Sequence, residues 1–410
     1  MTSLREATYG VWLGAARAGT LHQRGDYTWF EFDADYRDDP DRPVLGLQFE
    51  SNLLKRHAAH LRLPPWFSNL LPEGRLREWI ADERGVSVDR EMELLAQVGH
   101  DLPGAVRVLA EDLTPGAAPV DEAKAPPSRL GAPEWRFSLA GVGLKFSMLR
   151  VGDRLTLPAH GAGGDWIVKL PDRLHADVPR NEFVSMRLAA AAGITVPDTR
   201  LVHRDELTDL PAHVWPGREE WAYAVRRFDR DDTRAPIHIE DLAQVRDFYP
   251  DDKYHGSYET VAALVHRRRD VTALREFARR LAFTVLIANG DAHLKNWSLI
   301  YRNPRVPTLA PAYDLVSTEQ YRASGDPETL GLKFGRTKDP RRITPTMFGA
   351  LQSRLGAPRA DLPDLVAETV DRTVREWPEL AETVADVPAV RHGLDQAIKL
   401  GRVTLTGGVG

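Results

Sequence analysis

The sequence predicts an α+β fold, with a β-rich N-terminal portion followed by a helical C-terminal lobe. Three observations predict it. Strand-like runs such as Tyr27–Phe32 and Trp166–Leu170 concentrate before residue 230. A long amphipathic stripe then places Leu274, Phe277, Ala278, Leu281, Ala282 and Val285 on one helical face. From about residue 343 onward helical patterns dominate, including Met347, Leu351 and Leu355.

Taken in order, Tyr9–Leu13 and Tyr27–Phe32 read as short strands. After Pro72, the residues Leu76, Trp79 and Ile80 share a helical face, and Gly85 supplies a stop. Residues 1–112 therefore form a small N-terminal domain. The stretch 113–133 is rich in Pro, Ala and Gly without apolar periodicity, so it reads as an exposed linker. Beyond it, Arg136–Leu139 and Leu144–Leu149 flank Ala140-Gly141-Val142-Gly143, the pattern of a hairpin with a glycine-bearing tip. Trp166–Leu170 is a further strand, closed by Pro171. A helix follows, with Phe183, Met186, Arg187, Ala190 and Ala191 at helical spacing before Gly193. The strand Tyr223–Phe228 completes a 134–230 portion. In the 231–410 lobe Asp270 caps the long amphipathic helix.

Composition narrows the classes. A chain of 410 residues, 42% hydrophobic, is ample for two or three packed domains. A net charge of −5 argues against a broadly nucleic-acid-binding surface. The absence of cysteine excludes disulfides, thiolate chemistry and cysteine-ligated zinc. The opening residues lack the apolar core of a signal peptide, and no run approaches the roughly 18 apolar residues of a membrane span. A soluble cytoplasmic protein without membrane contact is the expectation.

The chemistry concentrates in Asn289-Gly290-Asp291-Ala292-His293-Leu294-Lys295-Asn296, followed by Tyr313-Asp314. An Asp, an Asn five residues later and a second Asp beyond form a phosphoryl-transfer layout: the first accepts the acceptor's proton, and the others hold magnesium on ATP. A turn alone would account for Asn-Gly-Asp, but it does not require the downstream Asn296 and Asp314. The apolar run 281–288 delivers this cluster to its end. Lys169 sits inside an apolar strand, where a cation is costly unless paired. Glu182, at the start of the next helix, is a candidate partner; the alternatives are a solvated edge-strand lysine and an ordinary first-turn acid. Ala140 through Lys145 could wrap phosphates with backbone N–H groups, though a Gly-x-Gly is also a common hairpin tip and no Walker A ending is present. His293 reads as support for the loop. A metallohydrolase reading lacks the His-x-x-x-His pair needed to complete a metal shell. The run His266–Arg269 reads as a solvated helix end rather than a nucleic-acid patch.

These residues resemble the HipA-type serine/threonine kinases, the toxin halves of bacterial toxin–antitoxin pairs, over nearly the whole chain. Ala288–Ser298 looks like the family's catalytic loop, Pro311–Ser317 its metal-binding segment, Val168–Pro171 and Asn181-Glu182 its ATP-lysine strand and following helix, and Val225–Arg230 its hinge. Glu240-Asp241 is similar to a family acidic motif. Phe67–Gly74 and Gly99–Ala105 look like blocks of the family's N-terminal domain, and they are more diagnostic than the Gly-Asp-x-His motif, which small-molecule phosphotransferases share.

The resemblance implies a HipA-like kinase fold that uses ATP and Mg2+. Asp291 would be the catalytic base, and Asn296 and Asp314 would hold the metal. Lys169, the loop Ala140, Gly141, Val142, Gly143, Leu144 and Lys145, the hinge Arg226, Arg227 and Phe228, and His293, Lys295 and Tyr313 would surround the nucleotide. Ser138 occupies the place of a regulatory autophosphorylation site; a phosphate there would repel ATP. Gly143 stands where many relatives carry Gln, and Arg226 where the hinge often has Glu. The implied partners are a HipB-like helix-turn-helix antitoxin, which would make the DNA contacts, and a protein acceptor such as an aminoacyl-tRNA synthetase. A small-molecule phosphotransferase and a non-catalytic, antitoxin-binding corepressor are the alternatives.

Overall fold

A computed structural model describes residues 6–111, 145–152, 154–156, 164–208, 210, 214–323 and 329–407. The predicted linker 113–133, Ser138 and the loop positions Ala140 to Leu144 lie outside them.

The chain opens with an antiparallel sheet of β1 (Glu6–Leu13), β2 (Ala16–Arg24), β3 (Tyr27–Phe32), β4 (His57–His60) and β5 (Val106–Ala110), in the order β4-β3-β2-β1-β5. β3 shows why it forms: Thr28, Phe30 and Phe32 are buried while Tyr27, Trp29 and Glu31 face outward, the two-residue alternation of a half-buried strand. The helices α1 (Ala34–Asp38), α2 (Pro65–Ser68), α3 (Gly74–Arg84) and α4 (Glu91–Val98) add Tyr36, Phe67, Leu76, Ile80 and Leu95 to the same apolar core. Gly85 ends α3 at φ 63°, the left-handed position its place in the sequence suggests.

A second sheet holds β6 (Lys145–Val151), β7 (Arg154–Thr156), β8 (Trp166–Lys169), β9 (Thr199–His203), β10 (Leu207–Thr208) and β11 (Trp221–Arg226), ordered β10-β7-β6-β8-β11-β9. Its residues Phe146, Met148, Trp166 and Val168 enter the core of the first sheet. Trp79 of α3 packs edge-on to Phe146 at 5.9 Å. The N-terminal unit and the β-rich part of the core thus share one interior.

Helix α5 (Val178–Ala191) covers the other face, but not by the stripe its spacing predicts. Arg187 and Ala190 are exposed and Phe183 is half-buried, whereas Val184, Ser185, Leu188 and Ala189 point inward. The reason is polar: Asn181 and Glu182 are buried toward the cleft, and the helix turns to put them there.

The C-terminal lobe comprises α6 (Leu242–Val245), α7 (Tyr258–His266), α8 (Val271–Leu286), α9 (Pro345–Arg354), α10 (Leu362–Ala381) and α11 (Pro388–Leu405), with a small antiparallel sheet of β12 (Ile239–Asp241), β13 (Ser298–Asn303) and β14 (Val306–Leu309). Asp270 caps α8 by accepting the Ala273 N–H at 2.8 Å, and the predicted stripe Leu274, Phe277, Ala278, Leu281, Ala282 and Val285 is buried. The basic run is less solvated than its composition suggests. His266 is buried and Arg267 turns back to the Pro307 carbonyl, which leaves Arg268 and Arg269 outside. No helix among the described residues is long and apolar enough to cross a membrane.

Two buried polar knots fasten the N-terminal unit to the rest of the chain. Arg227 is fully buried and donates through Nε and Nη2 to Asp229, at 2.9 and 2.8 Å, and through Nη1 to Asp101 at 3.3 Å and Ser147 at 3.1 Å. Arg230 also reaches Asp101, and the Gly104 N–H donates to Asp229 at 2.8 Å. Gly104 has φ +75°, and a Cβ there would stand 2.7 Å from the Ile239 nitrogen, so only glycine fits. The Arg227 side chain is therefore an interior cross-link, not the nucleotide contact implied by the hinge resemblance. In the second knot, buried Glu240 accepts from the Leu47 N–H, Trp66 Nε1 and the Tyr301 hydroxyl.

Arg227→Met leaves Asp229 and Asp101 buried without their fork, so chemical denaturation should register a loss of about 3–5 kcal/mol. A midpoint equal to wild type would show the knot to be energetically silent.

Candidate active site

Helix α8 ends where Ala288 takes a left-handed φ of 51°, costly for a residue with a Cβ. Thr318 Oγ1 fixes the break, donating to the Ala288 carbonyl and accepting the Gly290 N–H. The loop that follows is hydrogen-bonded to itself. Asp291 N–H donates to Asn289 Oδ1 at 3.1 Å, and His293 N–H to Asn296 Oδ1 at 2.9 Å. Neighbours hold it as well: the Leu294 N–H donates to the Lys253 carbonyl and the Tyr258 hydroxyl to the Ala292 carbonyl, both at 3.0 Å.

Across the cleft, Lys169 at the end of β8 sends Nζ to Glu182 Oε1 at 2.6 Å and to Asp314 Oδ1 at 2.5 Å. Asp314 also receives Asn296 Nδ2 at 2.5 Å on its second oxygen. It sits at φ +60°, a strained backbone that directs the carboxylate into this junction. Burial works to raise the Asp314 pKa, but the ammoniums of Lys169 and Lys145 outweigh it and hold the carboxyl well below its usual range. Lys145 lies directly opposite Lys169 in the β6–β8 register. Burial and the Lys169 charge push Lys145 down to about 8. Two lysines facing one another repel; at this position they favour an anion between them.

Asp291 stands apart from that ion pair. Burial raises its pKa, the hydrogen bond from the Tyr254 hydroxyl opposes the rise, and the Asp314 charge adds to it. Burial and the Lys253 ammonium push His293 down to about 4, so its ring is neutral; it packs edge-on to Tyr254 at 5.1 Å.

Asp291, His293, Asn296, Asp314, Lys145, Lys169 and Glu182 are thus brought to one cleft. Phe228 and Tyr313 meet at 5.5 Å and offer an aromatic wall, while the Tyr313 hydroxyl bonds the Lys295 carbonyl at 2.7 Å and Ser298 at 2.5 Å. Arg226 turns to Asp232 at 2.7 Å, so its side chain is not a base-reading group. Lys295 is the clearest departure. Its ammonium is buried against Asn69 Oδ1 and the Asn69 carbonyl, at 2.9 and 3.0 Å, and against Asp241 at 2.9 Å. It anchors the loop to the N-terminal unit instead of facing the nucleotide. Glu73 completes the anchor by pairing with Lys253 at 2.9 Å.

Tyr254, Lys253, Asn69 and Glu73 are the site residues that sequence reasoning missed. The Phe67–Gly74 block was visible, but nothing in it says that it touches the catalytic loop.

A metal would find an ionised carboxylate on Asp314 and the amide oxygen of Asn296, which has a lone pair to spare. Among the described residues no group of three His, Asp or Glu side chains could hold an ion alone. One carboxylate completed by substrate phosphates suits Mg2+. A cleft of about 700 Å³ behind α5, lined by Arg187, Thr199 and Glu379 among others, contains none of these residues.

Residues 137–377 match the family model of the HipA-like C-terminal domain, and residues 9–109 that of the HipA N-terminal domain. A Sinorhizobium fredii protein named "Putative kinase Y4dM" is 42% identical over 358 residues, 85% of this chain and 86% of its own length. The serine/threonine-protein kinase toxin HipA of Shewanella oneidensis is 26% identical over 354 residues, 78% of this chain and 77% of that one. A solved complex of Shewanella oneidensis HipA and HipB with operator DNA matches with a TM-score of 0.73 at 23% identity, covering 97% of each chain; it shows the fold.

The neutral His293 makes stability depend on pH. The unfolded chain takes up a proton as pH falls through the ordinary 6.5, the folded chain only near 4, so stability is lost between those values. From pH 7.5 to 5 His293 should account for a loss of about 2 kcal/mol, so in urea titrations His293→Gln should lose about 2 kcal/mol less over that range than wild type, whatever the other buried groups contribute. An equal slope in the variant would place the titration elsewhere.

Proposed function

Because the chain belongs to the HipA family, we propose that it is an ATP-dependent serine/threonine protein kinase, the toxin of a toxin–antitoxin pair. The observation that carries this reading is the junction in which Lys169 joins Glu182 and Asp314, with Asn296 alongside and Asp291 free of the ion pair.

The residues divide the reaction among themselves. Lys169 and Lys145 attract the triphosphate, and Phe228 with Tyr313 walls the base. Mg2+, held by Asp314 and Asn296, would neutralise charge on the β- and γ-phosphates. Asp291 accepts the proton of the acceptor hydroxyl as its oxygen bonds to the γ-phosphorus; the bond to the β–γ bridging oxygen breaks and ADP leaves. Lys295, Asn69 and Glu73 hold the loop still while this happens.

The acceptor is a serine or threonine on a component of translation such as an aminoacyl-tRNA synthetase, a reading that rests on the family resemblance. A HipB-like helix-turn-helix antitoxin would restrain the kinase and carry it to DNA, supported by the assembly of the Shewanella proteins named above. Ser138 is the proposed autophosphorylation site.

Phosphate transfer from γ-labelled Mg-ATP into a host lysate should fall by about 10²–10⁴-fold in Asp291→Asn. Undiminished transfer would remove Asp291 from the base's role. Label that reaches only small molecules would assign the chain to metabolite or antibiotic phosphorylation.

A further inference from the structure

The hydroxyl that Asp291 already binds belongs to the protein itself. Tyr254 donates its phenolic proton to Asp291 Oδ1. Its backbone is held firmly: the preceding Lys253 accepts the Leu294 N–H through its carbonyl and pairs with Glu73 through its ammonium. The ring leans edge-on to His293, yet the residue is 40% exposed, so the phenol is reached from solvent. Just beyond it, Gly256 at φ +139° allows a backbone turn that a side chain would resist.

A general base must stand within hydrogen-bond reach of the proton it removes. The place of the Tyr254 phenol on Asp291 is therefore a place an acceptor hydroxyl needs. We propose that Tyr254 is a positioning residue on the acceptor side: its phenol fills the acceptor's place on Asp291 Oδ1 in the resting enzyme, displaces water from that one oxygen, and yields only to a hydroxyl that docks with its own protein. This rests on the kinase reading above. It adds a selection step, because water, which brings no docking contacts, competes poorly with a tethered phenol.

The test uses the full-length protein with Mg-ATP alone, so that water is the acceptor. Tyr254→Phe keeps the ring on His293 and removes one hydroxyl. The kcat for ATP hydrolysis should rise about five- to ten-fold, the factor one competing hydrogen bond allows, while KM for ATP stays within about two-fold. Tyr254→Leu, which also lacks the phenol, should show the same rise. A merely structural tyrosine would lower the rate in both variants. Hydrolysis that stays equal or falls overturns the proposal, as does absence of hydrolysis from every protein while wild type labels lysate proteins. Phosphotyrosine at position 254 overturns it too, making the phenol an acceptor. If wild type transfers phosphate to nothing, the kinase reading itself fails.

Discussion

Everything in the cleft depends on one half-buried cation, Lys169, whose partner Glu182 is buried. Lys169 bonds a carboxylate of α5 and a carboxylate of the segment after β14, so a strand, a helix and the C-terminal lobe meet at a single nitrogen. Taking such charges out of water costs several kcal/mol per ion, and the attraction repays this only with close geometry and further hydrogen bonds. Both conditions are met: the contacts are 2.6 and 2.5 Å, and Asn296 satisfies the second oxygen of Asp314. The same requirement explains the turn of α5, which exposes Arg187 to keep Glu182 inside, and the strained backbone of Asp314. Local preferences yield because the alternative is an unpaired buried charge.

The N-terminal unit is the second half of this arrangement rather than an appendage. Asn69 and Glu73 take up Lys295 and Lys253, which flank the catalytic loop and the Tyr254 segment. Asp101 and Gly104 close the Arg227–Asp229 knot just after β11. Apart from Ala292 and Leu294 the loop is polar or glycine, with little other apolar surface to hold its shape. These cross-links supply from outside what the loop lacks.

The sequence discloses the parts that are local. The Asp291, Asn296 and Asp314 spacing, the lysine in an apolar strand, the Asp270 cap and the Gly85 stop each follow from a short window, and each is found at its expected place. What it hides is direction. Lys295 and Arg227 sit in the right motifs, but whether a long cationic side chain faces a nucleotide or an interior polar group depends on residues 226 or 126 positions away. Helical spacing shows a stripe on α5 but not which face wins when two buried polar groups compete with it. Tyr254 lies in a stretch of turn residues with no periodicity, so only the folded chain reveals its neighbour.

Two carboxylates in one cleft, Asp291 and Asp314, could each be drawn as base or as metal ligand. Their surroundings separate them. Asp314 lies against two lysines and is held ionised far below the usual carboxylate range, which makes it a poor proton acceptor and a good ligand for a cation. Asp291 is set apart from that ion pair; partial desolvation and the Asp314 charge raise its proton affinity, against the hydrogen bond from Tyr254. Groups whose environments push their pKa values apart divide acid–base work between them. Reversing the roles would ask the weaker base to take the proton and the less ionised group to hold the metal. The charge distribution therefore supports the proposed role of Asp291 as base without appeal to the order of residues in the chain.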